Sequence, residues 1–314
     1  MIFPVSFGQL LRVFQTMIRK SLMIFVLALL IPSFPCLSLA KEVQDEIGRR
    51  LTIKNIPQRI VSLAPGITET LFALNLGNKV VGVTSFCDWP APARQKPQVG
   101  GFVNPSIEKI VSLQPDLVIA TADGNRKDTV RQLERVGLAV YVTNPSNTEE
   151  ILTSILHIGE ITAEEKNARS LVGSLRKRLA NVTAQTRGKI KPRIFFQIGL
   201  DPVITAGKGT LINEVIGLAG GINIAGSDAA RYPRYSAEGI MAGAPDIILF
   251  APMAHDREFA AVKNYWQKFK EIPAVKNNKI YPVETDLISR ASPRIIDALE
   301  KMALIFHPEI KITP

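Results

Sequence analysis

One stretch of this 314-residue sequence occurs twice in outline, and the repetition limits how the chain can fold. The segments NPSIEKIVSLQPDLVIA (104–120) and RYSAEGIMAGAPDIILF (234–250) share a serine, a glutamate two residues later and an isoleucine two residues after that. In both copies a Pro-Asp pair then opens a short apolar run. The chain is long enough for two domains of ordinary size. The duplication therefore predicts two similar lobes, with one copy at the matching place in each.

Short apolar runs alternate with helical patterns in both halves of the sequence. The predicted strands lie at 59–63, 79–84, 116–120 and 138–142, and then at 193–198, 246–250 and 279–283. The predicted helices lie at 66–77, 106–113 and 126–136, and then at 210–219, 257–270 and 293–306, the last capped by Ser292 with Pro293 as its first residue. Continuous apolar strands are typical of parallel sheets covered on both faces. The predicted fold class is therefore α/β, with a central, mostly parallel sheet in each lobe.

The segment between the two halves is predicted to be helical. Thr162 and Glu165 have the spacing of a capping box, so a helix is expected to begin near Ala163 and to end near Thr186. At 1.5 Å per residue it is about 36 Å long, enough to connect two lobes. The predicted organisation is a signal peptide at 1–40, an N-terminal lobe at 41–147, a connecting helical segment at 148–190 and a C-terminal lobe at 191–314. A single domain with a long surface helix stays open as the alternative.

The first 40 residues have the features of an export signal. Arg19-Lys20 precedes an apolar run at 22–31, and Ser38-Leu39-Ala40 is a small-x-small cleavage site. The apolar run is shorter than the roughly 20 residues that a membrane-spanning helix needs. Phe34-Pro35 before Cys36 fits a lipoprotein signal poorly. We therefore expect a soluble exported protein that is located in the periplasm.

Charge and cysteine content argue against a nucleic-acid-binding protein and against a protein stabilised by disulfides. Residues 1–40 carry three basic residues and no acidic ones, so their removal lowers the net charge from +10 to +7. The cluster Arg176-Lys177-Arg178 has no aromatic interleaving and no DNA-binding motif, so it is interpreted as a solvated helix face and no nucleic-acid partner is expected. Cys87 would be the one cysteine left after cleavage, which excludes an internal disulfide.

The loops after the predicted strands are the candidate binding elements, because ligands of open α/β sheets bind beyond the carboxyl ends of the strands. Five aromatic residues lie on these loops: Phe86, Trp89, Phe102, Tyr232 and Tyr235. Aromatic side chains at the strand ends of two facing lobes suit a large, flat, partly apolar ligand. The alternative is that each aromatic residue closes the core of its own lobe.

Catalytic and metal-binding motifs are lacking in the sequence. No Gly-x-Ser-x-Gly motif occurs, GKGT at 207–210 lacks the spacing of a phosphate-binding loop, and the three histidines have no metal-ligand spacing. His255 and Asp256 follow a predicted strand, but a solvent-facing loop position is the favoured interpretation for them. A secreted α/β enzyme would need a nucleophile and a base that the motifs do not supply. No catalysis, no cofactor and no protein metal site are therefore predicted.

Several motifs, in order along the chain, resemble one protein family. RIVSLAPGITETLFAL, VGVTSFCDWP, PDLVIATADGN, FFQIGLDPVITAGKGTLINEVIGLAGGINI and RASPRI follow the pattern of periplasmic solute-binding proteins of ABC importers for cobalamin and iron chelates, above all that of the cobalamin-binding members. The resemblance covers residues 58–306. It implies two lobes joined by a single long α-helix, with a metal-chelate ligand held in the cleft between them. It also implies a monomer that delivers this ligand to the dimeric transmembrane permease.

The resemblance implies roles for particular residues. Glu108 and Glu238 occupy the positions of two surface glutamates, one on each lobe, that dock onto arginines of the permease. Each falls in the first turn of a predicted helix, where Ser106 and Ser236 can cap. The alternative is that both glutamates are simply first-turn carboxylates. Ligand contacts are implied for Phe86, Trp89, Phe102, Ile204, Tyr232 and Arg290.

Two of these positions depart from the pattern of the cobalamin-binding members. Phe102 and Tyr232 stand where those proteins have tryptophan. Cobalamin is the expected ligand. Because the smaller side chains give smaller contacts, another corrinoid, haem or a ferric siderophore stays open as the ligand.

Overall fold

The computed structural model describes residues 40–251 and 257–312. The predicted signal peptide, apart from Ala40, lies outside the described residues, as does the pair His255-Asp256. No helix within these two ranges is both long and apolar enough to cross a membrane.

The N-terminal lobe is built on a four-stranded parallel sheet. Two short strands, β1 (Lys41–Gln44) and β2 (Arg50–Ile53), precede it as an antiparallel hairpin that the sequence patterns did not predict. The sheet has the spatial order β4-β3-β5-β6 and consists of β3 (Ile60–Ser62), β4 (Val80–Val83), β5 (Leu117–Thr121) and β6 (Val140–Thr143). Its helices are α1 (Pro65–Ala73), α2 (Ile107–Ser112) and α3 (Lys127–Arg135), with a 3-10 turn at Ala91–Gln95.

Two helices connect the lobes, α4 (Thr148–Ile161) and the 22-residue α5 (Glu165–Thr186). The predicted capping box at the start of α5 is wrong. The hydroxyl of Thr162 donates instead to the carbonyl oxygen of Ile158 (2.6 Å), so Thr162 ends α4. Ala163 then takes a left-handed conformation (φ 59°), which turns the chain before α5 begins at Glu165.

The C-terminal lobe is built on a five-stranded, mostly parallel sheet. Its strands are β7 (Arg193–Leu200), β8 (Val203–Thr205), β9 (Ile222–Asn223), β10 (Ile247–Phe250) and β11 (Ile280–Pro282). Their spatial order in the sheet is β11-β10-β7-β8, and β9 also pairs with β7. Strand β8 is antiparallel to β7. The helices are α6 (Leu211–Leu218), α7 (Ala237–Gly243), α8 (Arg257–Trp266), α9 (Pro273–Lys276), α10 (Thr285–Ser289) and α11 (Ile295–Phe306).

The structure confirms the predicted α/β class with two sheets and a long helix between them, while the exact lobe boundaries stay predictions. Helix α5 packs against α4 and α11. Arg178, which was interpreted as part of a solvated face, is half-buried and donates to Asp297 (2.6 Å) and Glu300 (2.6 Å) of α11. That interpretation is therefore wrong for Arg178, whose ion pairs attach the long helix to the C-terminal lobe.

The largest apolar core is continuous from one lobe to the other. It includes Ile60 and Leu117 of the N-terminal sheet, Ile155 of α4, Val182 of α5 and Phe196 of the C-terminal sheet. Two smaller cores each cover the opposite face of one sheet. Since protein interiors are close-packed, separating the lobes would open part of a shared core, which disfavours large interlobe movements.

Candidate ligand-binding site

A cleft of about 800 Å³ lies between the two lobes. Its N-terminal wall comes from the segments that follow β3, β4, β5 and β6, and from α4. Its C-terminal wall comes from β7, the start of α6, the segment at 231–232, Ala251 after β10 and the segment from α10 to Ala291. Most of these segments stand at the carboxyl ends of parallel strands, where ligands of open α/β sheets bind.

Four of the six predicted ligand residues line the cleft together: Phe86, Phe102, Tyr232 and Arg290. Phe86 and Tyr232 leave 59% and 56% of their surface exposed, so large apolar faces are available on both lobes. Trp89 and Ile204 are not among the lining residues. The ring of Trp89 lies under the guanidinium group of Arg294, 4.3 Å from the ring centroid, and Ile204 is half-buried in β8. Ligand contact by any of the six stays a prediction.

The loop that carries Phe102 is fastened by Asn125, a residue that sequence reasoning did not single out. Its side-chain amide donates to the carbonyl oxygens of Phe102 (2.7 Å) and Leu63 (3.1 Å). Its Oδ1 accepts from the N–H of Thr121 (2.8 Å). Gly124 leaves room for the Phe102 ring, because a Cβ at this position would lie 2.0 Å from the ring. Three loops of the N-terminal wall are therefore held in one arrangement.

Arg290 joins the lobes at the edge of the cleft. Its Nη1 donates to Glu69 (2.9 Å) and Asp88 (2.8 Å) of the N-terminal lobe, and its Nη2 pairs with Asp286 (2.8 Å). Burial by itself would lower the pKa of Arg290, but the hydrogen bonds that it donates to Glu69 and Asp88 outweigh burial and raise that pKa. Burial likewise opposes the ionisation of Asp88, but its bond to Arg290 and the charge of Arg290 lower the pKa of Asp88 overall.

Glu69, which the sequence patterns did not mark, is the buried centre of this cluster. Its side chain is 2% exposed and also accepts from Arg294 (3.3 Å) and from the hydroxyl of Ser292 (2.6 Å). The Oγ of Ser292 also accepts from the N–H of Arg294 (3.2 Å), a bond of the kind that a helix cap makes. The regular helix α11 begins at Ile295 and not at Pro293 as predicted. Since Glu69 lies on α1 and its three partners on the C-terminal lobe, the cluster is an interlobe connection besides the long helix.

The contact between the lobes is also close at the backbone. A Cβ at Gly66, in the first turn of α1, would lie 2.4 Å from the carbonyl oxygen of Ala291. On the other side of the cleft, Glu214 of α6 accepts from the N–H (2.8 Å) and hydroxyl (3.1 Å) of Thr148 at the start of α4. These contacts fix the walls of the cleft relative to one another.

Cys87 is buried beside Thr84, with 3.1 Å between its Sγ and the hydroxyl oxygen. Burial raises the pKa of the Cys87 thiol above its ordinary value, so the thiol form is favoured at neutral pH. A nucleophile or metal ligand needs the thiolate. Within the described part of the chain, no group of three or more histidine, cysteine or acidic side chains is arranged to hold a metal ion.

The two copies of the repeated motif form the same local structure. Ser106 Oγ accepts from the N–H of Lys109 (3.3 Å), and Ser236 Oγ accepts from the N–H of Gly239 (3.2 Å). Both serines therefore cap their helices, as predicted. Ile110, and its counterpart Ile240, are completely buried.

The second half of each copy also matches. Gln114 and Ala244 take left-handed conformations, with φ of 46° and 40°. Asp116 then accepts from the N–H of Arg59 (3.0 Å), just as Asp246 accepts from that of Arg193 (2.8 Å). The Pro-Asp pair thus secures the start of a neighbouring strand in each lobe.

The glutamates are the part of the motif that packing does not explain. Glu108 and Glu238 are exposed, and neither has an ion pair among the residues that the structure covers. Glu238 has a local role, because hydrogen bonds from its own backbone N–H and from Ser236 lower its pKa. The geometry that the two copies share therefore presents one exposed carboxylate on each lobe.

The chain is similar to known proteins over most of its length. Residues 60–287 match the model of the family described as periplasmic binding protein. An uncharacterised ABC transporter substrate-binding lipoprotein, YvrC of Bacillus subtilis, is 34% identical over 274 residues, which are 85% of each chain. This chain belongs to the periplasmic binding proteins.

Relatives of this periplasmic binding protein include binders of more than one ligand. The vitamin B12-binding protein of Salmonella typhimurium is 32% identical over 78% of this chain and 88% of its own length. The solved structure of the periplasmic vitamin B12 binding protein BtuF of Vibrio cholerae has a TM-score of 0.71, 29% identity and coverage of 81% of this chain and 98% of its own. The periplasmic heme-binding protein RhuT from Roseiflexus sp. RS-1 has a TM-score of 0.69, 26% identity and coverage of 80% and 98%.

Proposed function

We propose that this periplasmic binding protein captures cobalamin or a related corrinoid in the interlobe cleft and delivers it to the membrane permease of an ABC importer. The observation that carries the proposal is the cleft itself, whose two walls present the exposed aromatic faces of Phe86 and Tyr232. At about 800 Å³ it is near the upper end of ordinary ligand pockets. A large ligand with apolar faces fits such a space better than a sugar or an amino acid does.

The ligand brings its own metal in this proposal, and the protein catalyses no reaction. Stacking of Phe86, Phe102 and Tyr232 on the ligand supplies apolar contact area. Relatives named as vitamin B12-binding proteins support a corrinoid. The place of action is the periplasm, after export and removal of the N-terminal segment.

A haem ligand is the second candidate, because a heme-binding protein of solved structure is also similar to this chain. Haem iron in proteins takes an axial ligand such as histidine, cysteine, methionine or tyrosine. Tyr232 is the residue of that kind on the described cleft lining. A corrinoid needs no such ligand, so the lining contributed by the described residues, which is aromatic and includes no histidine, favours it.

Visible spectroscopy tests the choice of ligand. The purified protein is incubated separately with cobalamin, cobinamide, haemin and a ferric siderophore, and is then recovered by gel filtration. The proposal predicts that corrinoid absorbance comes through with the protein peak at one equivalent per chain. Retention of haemin or siderophore without corrinoid would overturn the corrinoid assignment, and retention of none of the four would overturn the proposed function.

We further propose that Glu108 and Glu238 make the contacts with the permease. Their carboxylates have no ion-pair partner in the described structure, and the duplicated motif holds them in equivalent positions. Charged pairs at an interface confer orientation and specificity. Two equivalent acids, one on each lobe, suit a partner made of two equivalent subunits.

A further inference from the structure

The two arginines that line the cleft are in opposite electrostatic situations. The Arg290 guanidinium group is bonded to Glu69, Asp88 and Asp286, so three carboxylates surround its positive charge. Arg231 lines the same C-terminal wall, next to Tyr232, and is exposed. No carboxylate in the described ranges lies within ion-pairing distance of it. Arg231 therefore brings an uncompensated positive charge to the cleft.

The backbone that carries Arg231 is held rigidly. Its carbonyl oxygen accepts from the N–H of Gly207 (2.7 Å), and that of Pro233 accepts from Thr205 (3.1 Å). A Cβ at Gly207 would lie 2.2 Å from the carbonyl oxygen of Ala230, so the two segments are in direct contact. The guanidinium carbon of Arg231 lies 6.0 Å from the centroid of the Tyr232 ring.

We infer that Arg231 is a specificity-determining residue that binds an anionic group of the ligand beside the aromatic contact at Tyr232. This inference rests on the proposed function, since it concerns the same cleft. The guanidinium fork matches phosphate and carboxylate oxygens in a bidentate geometry. A cobalamin carries one ionised phosphodiester, in its nucleotide loop, whereas cobinamide is the same corrin without that loop. The phosphodiester is the group assigned to Arg231.

The test is a comparison of two ligands and three variants by calorimetry at low ionic strength. Arg231→Gln removes the charge, Arg231→Lys keeps it without the fork, and Arg234→Gln is the matched control. Arg234 is exposed on the same segment but does not line the cleft. Its substitution changes the net charge by the same amount, so it controls for long-range attraction.

We expect Arg231→Gln to weaken cobalamin binding about tenfold and cobinamide binding by less than about twofold, with Arg231→Lys in between. Arg234→Gln should leave both affinities unchanged. Equal effects of Arg231→Gln on the two ligands, or no effect on either, would overturn the inference while the proposed function stands. Failure of the unmodified protein to bind either corrinoid would overturn the proposed function and this inference with it.

Discussion

Arg290 Nη1 of the C-terminal lobe lies 2.9 Å from Glu69 Oε1 of the N-terminal lobe, at the edge of the cleft. Both side chains are largely withdrawn from solvent, at 10% and 2% exposure. A charge buried in this way depends on its partners, because the loss of one partner leaves the other without compensation.

Removal of Glu69 should therefore destabilise the protein. In Glu69→Ala, Arg290 keeps only its two part-exposed carboxylate partners. Ser292 and Arg294 lose the buried carboxylate that accepts from them. We expect the free energy of unfolding in urea to fall by about 3–5 kcal/mol. Glu149→Ala, which removes an exposed partner of Arg176, should cost less than about 1 kcal/mol. Equal, small effects of the two substitutions would show that the interlobe cluster does not hold the lobes together.

The Asp88 carboxylate should make the connection sensitive to acid. Its folded-state pKa lies below the ordinary value of 3.8, so the unfolded chain takes up this proton first as the pH falls. The stabilisation is fully present above that value and is lost as the pH falls through the folded-state pKa. Because Asp88 is partly exposed, we expect Asp88→Asn to cost less than about 1 kcal/mol at pH 7.

Urea unfolding of the unmodified protein and of Asp88→Asn, repeated from pH 7 down to pH 3, measures this contribution. The difference in unfolding free energy between the two should be constant at neutral pH and should shrink below about pH 4. A difference that grows as the pH falls would contradict a lowered pKa of Asp88 in the folded protein.

Gly124 should control the position of the Phe102 ring. In Gly124→Ala the new Cβ would lie 2.0 Å from the ring, which is the mobile end of a side chain, so the ring moves rather than the backbone. We expect ligand affinity to fall by about threefold to tenfold, with a stability change below about 1 kcal/mol. Calorimetric titration and urea unfolding separate the two effects.

Gly173→Ala is the matched control, because no atom lies within 4 Å of its would-be Cβ in the middle of α5. It should leave affinity unchanged and stabilise the protein by about 0.5–1 kcal/mol. If Gly124→Ala bound ligand as tightly as the control, Phe102 would have no part in the binding site.

The exposed glutamates of the repeated motif should matter for delivery and not for capture. Glu108→Ala/Glu238→Ala should bind ligand within about twofold of the unmodified protein, since neither residue lines the cleft. Uptake of labelled ligand by cells that depend on this protein should fall at least about tenfold.

Glu42→Ala/Glu149→Ala removes two other exposed carboxylates and controls for the loss of net charge. Normal uptake by the double variant at positions 108 and 238 would remove the docking proposal. A loss of ligand binding in the same variant would assign the two glutamates to folding instead.

Seven of the eleven strands in the described ranges, and most of the helices, could be predicted from the sequence because each is determined locally. The short strands β1, β2, β8 and β9 were not predicted. Continuous apolar runs such as 117–120 and 247–250 are buried on both faces. Ser106 and Ser236 each cap the helix that begins at the next residue. The capping box at Thr162 failed because the same hydroxyl also reaches a carbonyl of the preceding helix. Spacing does not distinguish those two partners.

The parts of the site that escaped prediction depend on long-range contacts. Glu69 and Arg290 are 221 residues apart in sequence, and Asn125 lies 62 residues from Leu63, whose carbonyl it binds. Neither pair has a periodicity or a motif. The predicted strand ends directed attention to the cleft loops, and the family resemblance to particular residues, Arg290 among them. The ion pairs of Arg290 and the free charge of Arg231 required the three-dimensional structure.

Calorimetric titration of the exported form with cobalamin tests the central claim most directly. The account predicts saturable binding of one cobalamin per chain, and a marked loss of affinity in Phe86→Ala/Tyr232→Ala, which removes one aromatic face from each wall of the cleft. Truncation of two aromatic contacts that the ligand covers should weaken binding by about a hundredfold or more. Absence of saturable binding, or binding that the double substitution leaves unchanged, would contradict capture of a corrinoid in this cleft.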